Sequence, residues 1–362
     1  PALALGGFVL DESAVVSGTV QQNPTGWSLD LKSSLLGGDI RLVGSSAEDV
    51  LSGALGFKGV EIYRLFPDLG DEAYLDGVLL MEPSSLERQV LRIMLDGTSV
   101  SGHPIDGAAA EMIVEGSAIE LESARVRLPA GVLQAEGRLD QSQFRGPVRV
   151  QIDALGALSE FGVDGFRGRA GFSGDLSLNW SNAALQAGFD GVGGGRDLSL
   201  PGGFALGRVE GPFSARLNGE RLQASGGFKG ASGAGMQAAV GELFGAWSME
   251  RNPGEPLSWE VDLEMAKLVH QEFRLQSLSG AFQGFGSALS GSADLAGVAY
   301  SPLFWPTGRF EVKEDSGAIG IELSLLDEEQ EVWKTRTRLD LTEKNLLVDE
   351  LIVAPEGGVW SL

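Results

Sequence analysis

Apolar and polar residues alternate in steps of two along this chain, and glycine interrupts the alternation about every dozen residues. Trp27-Leu29-Leu31, Leu91-Ile93-Leu95, Val126-Leu128, Val148-Val150-Ile152, Trp259-Val261-Leu263 and Leu339-Leu341 all follow this step. A period of two sends alternate side chains to opposite faces of a strand. The pattern therefore predicts long antiparallel sheet with one apolar and one polar face, and no compact pocket around a catalytic cluster. A continuous one-sided apolar surface is first of all a binding surface.

Glycine supplies 53 of the 362 residues, roughly twice its average usage. No Gly-x-y period accompanies it, which excludes collagen; in a strand-rich chain it marks turns, bulges and bends. A hydrophobic content of 43% is too high for a disordered chain.

The net charge of −23 argues against nucleic acid, which needs clustered Lys and Arg, and against charge-driven adhesion to anionic lipid. It suits an acidic, self-repelling outer face. The absence of cysteine excludes disulfides, thiol catalysis, cysteine-bound zinc and iron–sulfur clusters, and agrees with an oxidising compartment. No apolar run is long enough for a membrane helix. The chain opens at Pro1-Ala2-Leu3, so it is expected to be a processed product or an excised piece of a longer protein.

Strands are predicted over 27–31, 39–43, 90–95, 111–115, 118–128, 132–139, 147–153, 172–180, 183–189, 213–217, 221–228, 258–264, 272–278, 308–313, 318–326, 332–341 and 346–353. Turns fall at Gly37-Gly38, Asp96-Gly97, Pro129-Ala130-Gly131, Asn218-Gly219 and Glu356-Gly357-Gly358. Asn218-Gly219 is the strongest hairpin signal. Two short helices are expected as covers on the sheet. One is capped by Ser46 and Asp49 ahead of Val50-Leu51 and Ala54-Leu55; the other is capped by Asp153 and carries Leu155, Leu158 and Phe161 up to Gly162. Leu133-Gln134-Ala135-Glu136-Gly137 recurs as Leu222-Gln223-Ala224-Ser225-Gly226, and more loosely as Leu185-Gln186-Ala187-Gly188. The unequal spacing speaks against a fixed-rung solenoid. The segments 252–256 and 301–306 carry prolines that should end strands, but neither is a linker. The whole of 1–362 is read as one extended segment.

Chemistry is sparse. His103 and His270 are the only histidines, with no nucleophile elbow and no metal spacing. Gly191-Val192-Gly193-Gly194-Gly195-Arg196 lacks the ending of a phosphate loop and reads as a hairpin tip. Asp327-Glu328-Glu329-Gln330-Glu331 lacks calcium-loop spacing and reads as a solvated turn. Leu303-Phe304-Trp305 reads either as a corner plugging the sheet end or as an interfacial anchor. Trp27, Trp180, Trp259 and Trp305 could stack sugars, but no carboxylate pair is singled out by spacing. No catalysis, cofactor or metal is expected.

The segments Leu75-Asp76-Gly77-Val78-Leu79, 91–102, 126–140 and Phe172-Ser173-Gly174-Asp175-Leu176-Ser177-Leu178 share a local pattern in which a strand meets a glycine and a phrase like Leu-Gln-Ala-x-Gly-x-Leu. The end of the chain, 346–358, has the same character. In this, residues 70–230 resemble the periplasmic AsmA-like and TamB-like proteins of Gram-negative envelopes. The resemblance implies a long U-shaped β-groove (a β-taco) in the periplasm, bridging inner and outer membranes. Phospholipid acyl chains slide along the apolar interior of such a groove. An outer-membrane barrel of the assembly family and an inner-membrane anchor would be its partners.

The residues support a lipid reading independently. A sheet with one apolar face must cover it, and with few helices the cover can be ligand. Each buried methylene contributes roughly 0.8 kcal/mol without directional demand. At about 12 residues per strand and turn, the chain would give on the order of 30 strands and a groove of roughly 140 Å. The expected lining is Leu91, Ile93, Leu95, Val126, Leu128, Val148, Val150, Ile152, Val261 and Leu263. The competing reading is a structural or adhesive surface β-solenoid or sandwich array, its apolar stripe packed by protein and empty of lipid.

Overall fold

The structure is a computed structural model. It describes the chain except residues 1–2, 6–7, 11–14, 65–72, 86, 101–102, 141, 158–166, 181–184, 200–203, 236–237, 287, 316–317, 328–329, 341–344, 354–359 and 362. The fold class is the expected one: all-β, built of long antiparallel sheet. Contacts divide the chain into two units, Pro1–Asp153 with Ser173–Asn182, and Ala154–Phe172 with Ala183–Leu362.

The first unit holds β1 (Leu3–Leu5), β2 (Phe8–Leu10), β3 (Val16–Asn23), β4 (Gly26–Leu35), β5 (Gly38–Ala47), β6 (Val50–Glu61), β7 (Tyr74–Ser85), β8 (Arg88–Leu95), β9 (Thr98–Val100), β10 (His103–Ile105), β11 (Gly107–Glu115), β12 (Ala118–Leu128), β13 (Gly131–Asp140) and β14 (Gln143–Ile152). Strands β3 to β8 pair in chain order; β8 then pairs β11, and β11 to β14 again follow chain order. The short β9 and β10 form a side ladder next to β7. Strand β15 (Arg167–Asn179) has residues in each unit.

The second unit holds β16 (Gln186–Ser199), β17 (Phe204–Asn218), β18 (Arg221–Gly235), β19 (Ala238–Arg251), β20 (Ser258–His270), β21 (Phe273–Phe285), β22 (Ala288–Tyr300), β23 (Leu303–Asp315), β24 (Ala318–Asp327), β25 (Gln330–Asp340), β26 (Asn345–Val353) and β27 (Trp360–Ser361). Each pairs antiparallel with the next, as hairpins joined by short turns require.

Helix is almost absent among the described residues. The helix expected after Ser46 is instead the β5–β6 hairpin. Glu48 and Asp49 both have positive φ, 49° and 66°, the conformation of a tight turn matched to strand twist. Alternation in β5 then captures Val50–Phe57 as a strand, because a couple of helical turns cannot compete with a full ladder. Of the helix expected after Asp153, only a single 3-10 turn at 155–157 is described; 158–162 lies outside the described residues. A second 3-10 turn, Ile62–Arg64, follows β6.

The glycine run 191–196 is not a hairpin tip. It lies inside β16 and pairs residue by residue with β17, from Gly191 opposite Phe213 to Arg196 opposite Arg208. Pro306 likewise does not end a strand but lies within β23. It has no ladder partner, because pairing steps from Trp305–Val298 to Thr307–Ala296 around it. Pro147 and Pro212 also sit at ladder gaps, beside Gly146 and Gly211. A residue without an N–H survives in a strand where no bond is asked of it. Pro302, by contrast, lies in the β22–β23 turn, and 252–256 separates β19 from β20, as expected. The hairpin turn at Pro129-Ala130 forms as predicted; at Asn218-Gly219 a hairpin forms with its turn one residue later, on Gly219 and Glu220, while Asn218 pairs with Arg221. The predicted turn at Gly37-Gly38 forms one residue earlier, on Leu36 and Gly37, with φ of 53° and 74°. Leu341 and the turn at 356–358 lie outside the described residues.

Candidate lipid-binding faces

Residues directly opposite each other on neighbouring strands project to the same face. In the first unit this rule traces an apolar row across the strands. Leu31 is opposite Leu42, then follow Leu55, Leu79, Ile93, Ala110, Ala124, Ala135 and Val148. A parallel row runs Leu95, Ala108, Val126, Leu133 and Val150. Leu128, Gly131 and Ile152 continue the face on one side; Met81, Leu91, Met112 and Leu121 continue it on the other.

The sheet therefore brings the eight predicted lining residues of this unit onto one face. Val148 is buried, Leu128 is exposed, and Leu91, Ile93, Leu95, Val126, Val150 and Ile152 are half-buried. The strand pairs in extensive contact are sheet neighbours. The opposite face is not uniformly wet. It carries Val43, Ala54 and Leu80 in one row beside Arg92.

In the second unit, Val261 and Leu263 lie in adjacent apolar rows on one face. Val261 sits between Trp247 and Phe282; Leu263 sits between Gly245 and Gly280. The rows alternate large rings and glycines: Phe213, Gly226, Trp247, Val261, Phe282, Gly291, Val312 in one, and Phe228, Gly245, Leu263, Gly280, Ala293, Phe310 in the next. The rings lie down over the glycines. A Cβ at Gly226 would come within 2.9 Å of the Trp247 indole nitrogen, and one at Gly193 within 2.9 Å of the Phe172 ring. Within the glycine run of β16, Gly193 makes room for this ring, whereas a Cβ at Gly194 would meet the Val209 carbonyl and one at Gly195 the Leu198 side chain of the same strand. Phe189, Phe213 and Trp247 follow each other with ring centroids 5.5 and 5.8 Å apart.

Toward the other end of these strands, Leu275, Leu295, Val298 and Leu325 are buried, surrounded by Met265, Leu268, Phe310, Trp305 and Trp333. Val298 is only 1% exposed. Its cross-strand neighbours Leu275 and Trp305 belong to the cluster that covers it.

The polar face of this unit is ordered by charge. Ser214, Ser225, Ser248, Glu260, Gln283, Ser290 and Lys313 form one row. A twisted sheet is saddle-shaped, and this face has a concave diagonal too. A hollow of about 850 Å³ runs over Arg216, Gln223, Glu250, Glu260 and Gln283.

Arg221 holds Glu250, and Arg216 holds Asp190, each pulling the carboxyl below its ordinary value mainly by hydrogen bonding. Arg41 does the same to Asp30 in the first unit. Glu322 is lowered first by Lys334 and then by Arg336, at 2.6 and 2.9 Å. Pairs this exposed stabilise the fold little, but they keep the polar face hydrated.

The other candidates disperse. Trp27 and Trp180 are partly exposed in the first unit; in the second, Trp259 lies over Gly284 and Trp305 meets Trp333 edge-on at 6.3 Å. Each of the second pair has a packing role. The backbone of His103 lies in β10, and His270 ends β20 half-buried. Asp327 and Gln330 close the β24–β25 hairpin. Among the described residues no acidic or histidine cluster could hold a metal, and no helix is long and apolar enough to cross a membrane.

Alternation located β8, β12, β14 and part of β20. It missed Leu42, Leu55, Leu79, Phe213, Phe228 and Phe282. In β6 and β7 apolar residues occupy both faces, and in β18 glycine replaces the alternating hydrophobes. The available signal was an aromatic residue offset from a glycine on the next strand, which needs the register to be read. Comparison with protein-family models, curated proteins and solved structures finds no match to this chain.

Proposed function

We propose that the apolar faces of this chain bind phospholipid acyl chains, without catalysis, and that the protein conducts lipid across a Gram-negative periplasm or assists outer-membrane assembly. One observation carries the reading: in each unit the strand register gathers apolar side chains into rows on one face, and most of the expected lining residues on it are only half-buried. Apolar surface of that extent needs a cover, and an acyl chain supplies one at roughly 0.8 kcal/mol per buried methylene. The contacts have no direction, so a chain can shift along the rows without breaking hydrogen bonds. The polar face keeps its ion pairs in water.

The resemblance to AsmA-like and TamB-like proteins supports the same reading and adds its setting: a U-shaped groove, a partner barrel in the outer membrane and an anchor in the inner one. Native mass spectrometry after detergent-free purification tests it. Bound phospholipid is expected; a protein that stays lipid-free even with excess liposomes overturns the proposal. In that event the face would be a surface for protein, as in a structural or adhesive array.

A further inference from the structure

The rule of one apolar and one polar face breaks at one end of four neighbouring strands in the second unit, as it also does singly at Val192 and Phe285. The last residues of β20 and β22 and the first of β21 and β23 form two cross-strand rows at one end of these strands. On the apolar side the row is His270, Phe273, Tyr300 and Leu303; on the polar side it is Val269, Arg274, Ala299 and Phe304. Tyr300 and Leu303 are 52% and 50% exposed on one face, Val269 and Phe304 42% and 64% on the other. Only Trp305 of the Leu303-Phe304-Trp305 cluster turns inward, against the buried Leu275–Val298 group. Pairing of β23 with β24 starts at Thr307, so among the described residues Leu303–Pro306 have no ladder partner on β24.

We propose that this hairpin end is a bilayer-docking tip, inserted at the boundary between headgroups and acyl chains. A docking protein would ordinarily cover one face of a sheet edge, whereas a fluid interface covers both. Tyr and Phe suit that boundary, where one end of a side chain is apolar and the other wet. Arg274 lies between Val269 and Ala299, has no ion-pair partner among the described residues, and can meet a lipid phosphate. The tip adjoins the apolar face through Phe273 and Trp305, so it would deliver acyl chains directly to that face. In this respect the inference extends the lipid reading by naming where the membrane is met.

Flotation of the full chain with phosphatidylcholine vesicles tests it, at low and high salt. The wild type is expected to float. The triple variant Tyr300→Ser, Leu303→Ser, Phe304→Ser should lose about tenfold or more in vesicle affinity, since three interfacial apolar side chains are removed. It should keep its strand circular dichroism and its co-purified phospholipid. Phe304→Trp should float and be quenched by bromine-labelled acyl chains. A wild type that does not float, a triple variant that floats equally well, or a tip-dependent dimer of the chain overturns the tip. Absence of co-purified lipid from both proteins would count against the acyl-binding face alone, leaving flotation to judge the tip.

Discussion

The indole of Trp259 lies over Gly284, its direct cross-strand neighbour on β21, and occupies the space a side chain there would need. A Cβ at Gly284 would meet Cε2, Nε1 and Cζ2 of the ring closer than real side chains approach. Gly284→Ala therefore forces the ring up and should cost about 1–3 kcal/mol. Gly56→Ala is the control. Its new methyl would have only the Arg41 carbonyl oxygen nearby, at 4.0 Å, and its φ is not left-handed. That variant should be neutral or gain about 0.4–1 kcal/mol by restricting the unfolded chain. Urea unfolding of both separates packing from glycine content; equal losses would refute the ring-on-glycine account.

Lipid should act on stability through mass action. A ligand that binds only the folded chain at about 100 times its Kd adds roughly 2.7 kcal/mol. Short-chain phosphatidylcholine below its micelle concentration is expected to raise Tm in proportion, and a soluble sugar is not. A Tm indifferent to lipid at every concentration would remove the acyl-binding proposal.

The all-β class was legible because alternation survives wherever one face is clearly wet, as in Arg88–Leu95 and Ser258–His270. Strand identity failed where that contrast fades. Val50–Glu61 carries small and apolar residues on both faces and a Ser-x-x-Asp cap ahead of it, so local propensity favoured a helix that the β5 ladder overrides. The glycine run of β16 looked like loop because what fills the space over Gly193 is the ring of Phe172, on another strand. The lining residues of β8, β12 and β14 were found because each strand alternates by itself. The aromatic floor of the second unit was not, because Phe228 over Gly245 is a relation between strands.

Glu322 gives the polar face a pH dependence. Lys334 first, then Arg336, hold its carboxyl below the ordinary 4.5. A carboxyl lowered in the folded state adds stability above its unfolded value, and that contribution is lost as pH falls through the folded one. The wild-type Tm should therefore decline below pH 4.5, and Glu322→Gln should flatten part of that decline while lowering Tm slightly at neutral pH. Strong salt should shrink the difference, because the pair is partly exposed. An unchanged acid limb in Glu322→Gln would show that the pair carries no linkage.

Val148 and Val150 lie on the same strand and the same apolar face, yet should respond differently to charge. Val148 is 7% exposed, beside Ala135; Val150 is half-buried, beside Leu133. Val148→Glu places a carboxylate at a position with almost no access to water. The fold should lose about 3 kcal/mol or more, or the carboxyl should stay protonated. Val150→Glu, like Ile93→Glu on β8, leaves the new group a path to solvent. These two should keep the strand signal and a near-normal urea midpoint while losing bound phospholipid in the native mass spectrum. Lipid retained by both at wild-type levels would show that this face is not where acyl chains lie. Unfolding of both would instead mean that protein alone fills the space above it.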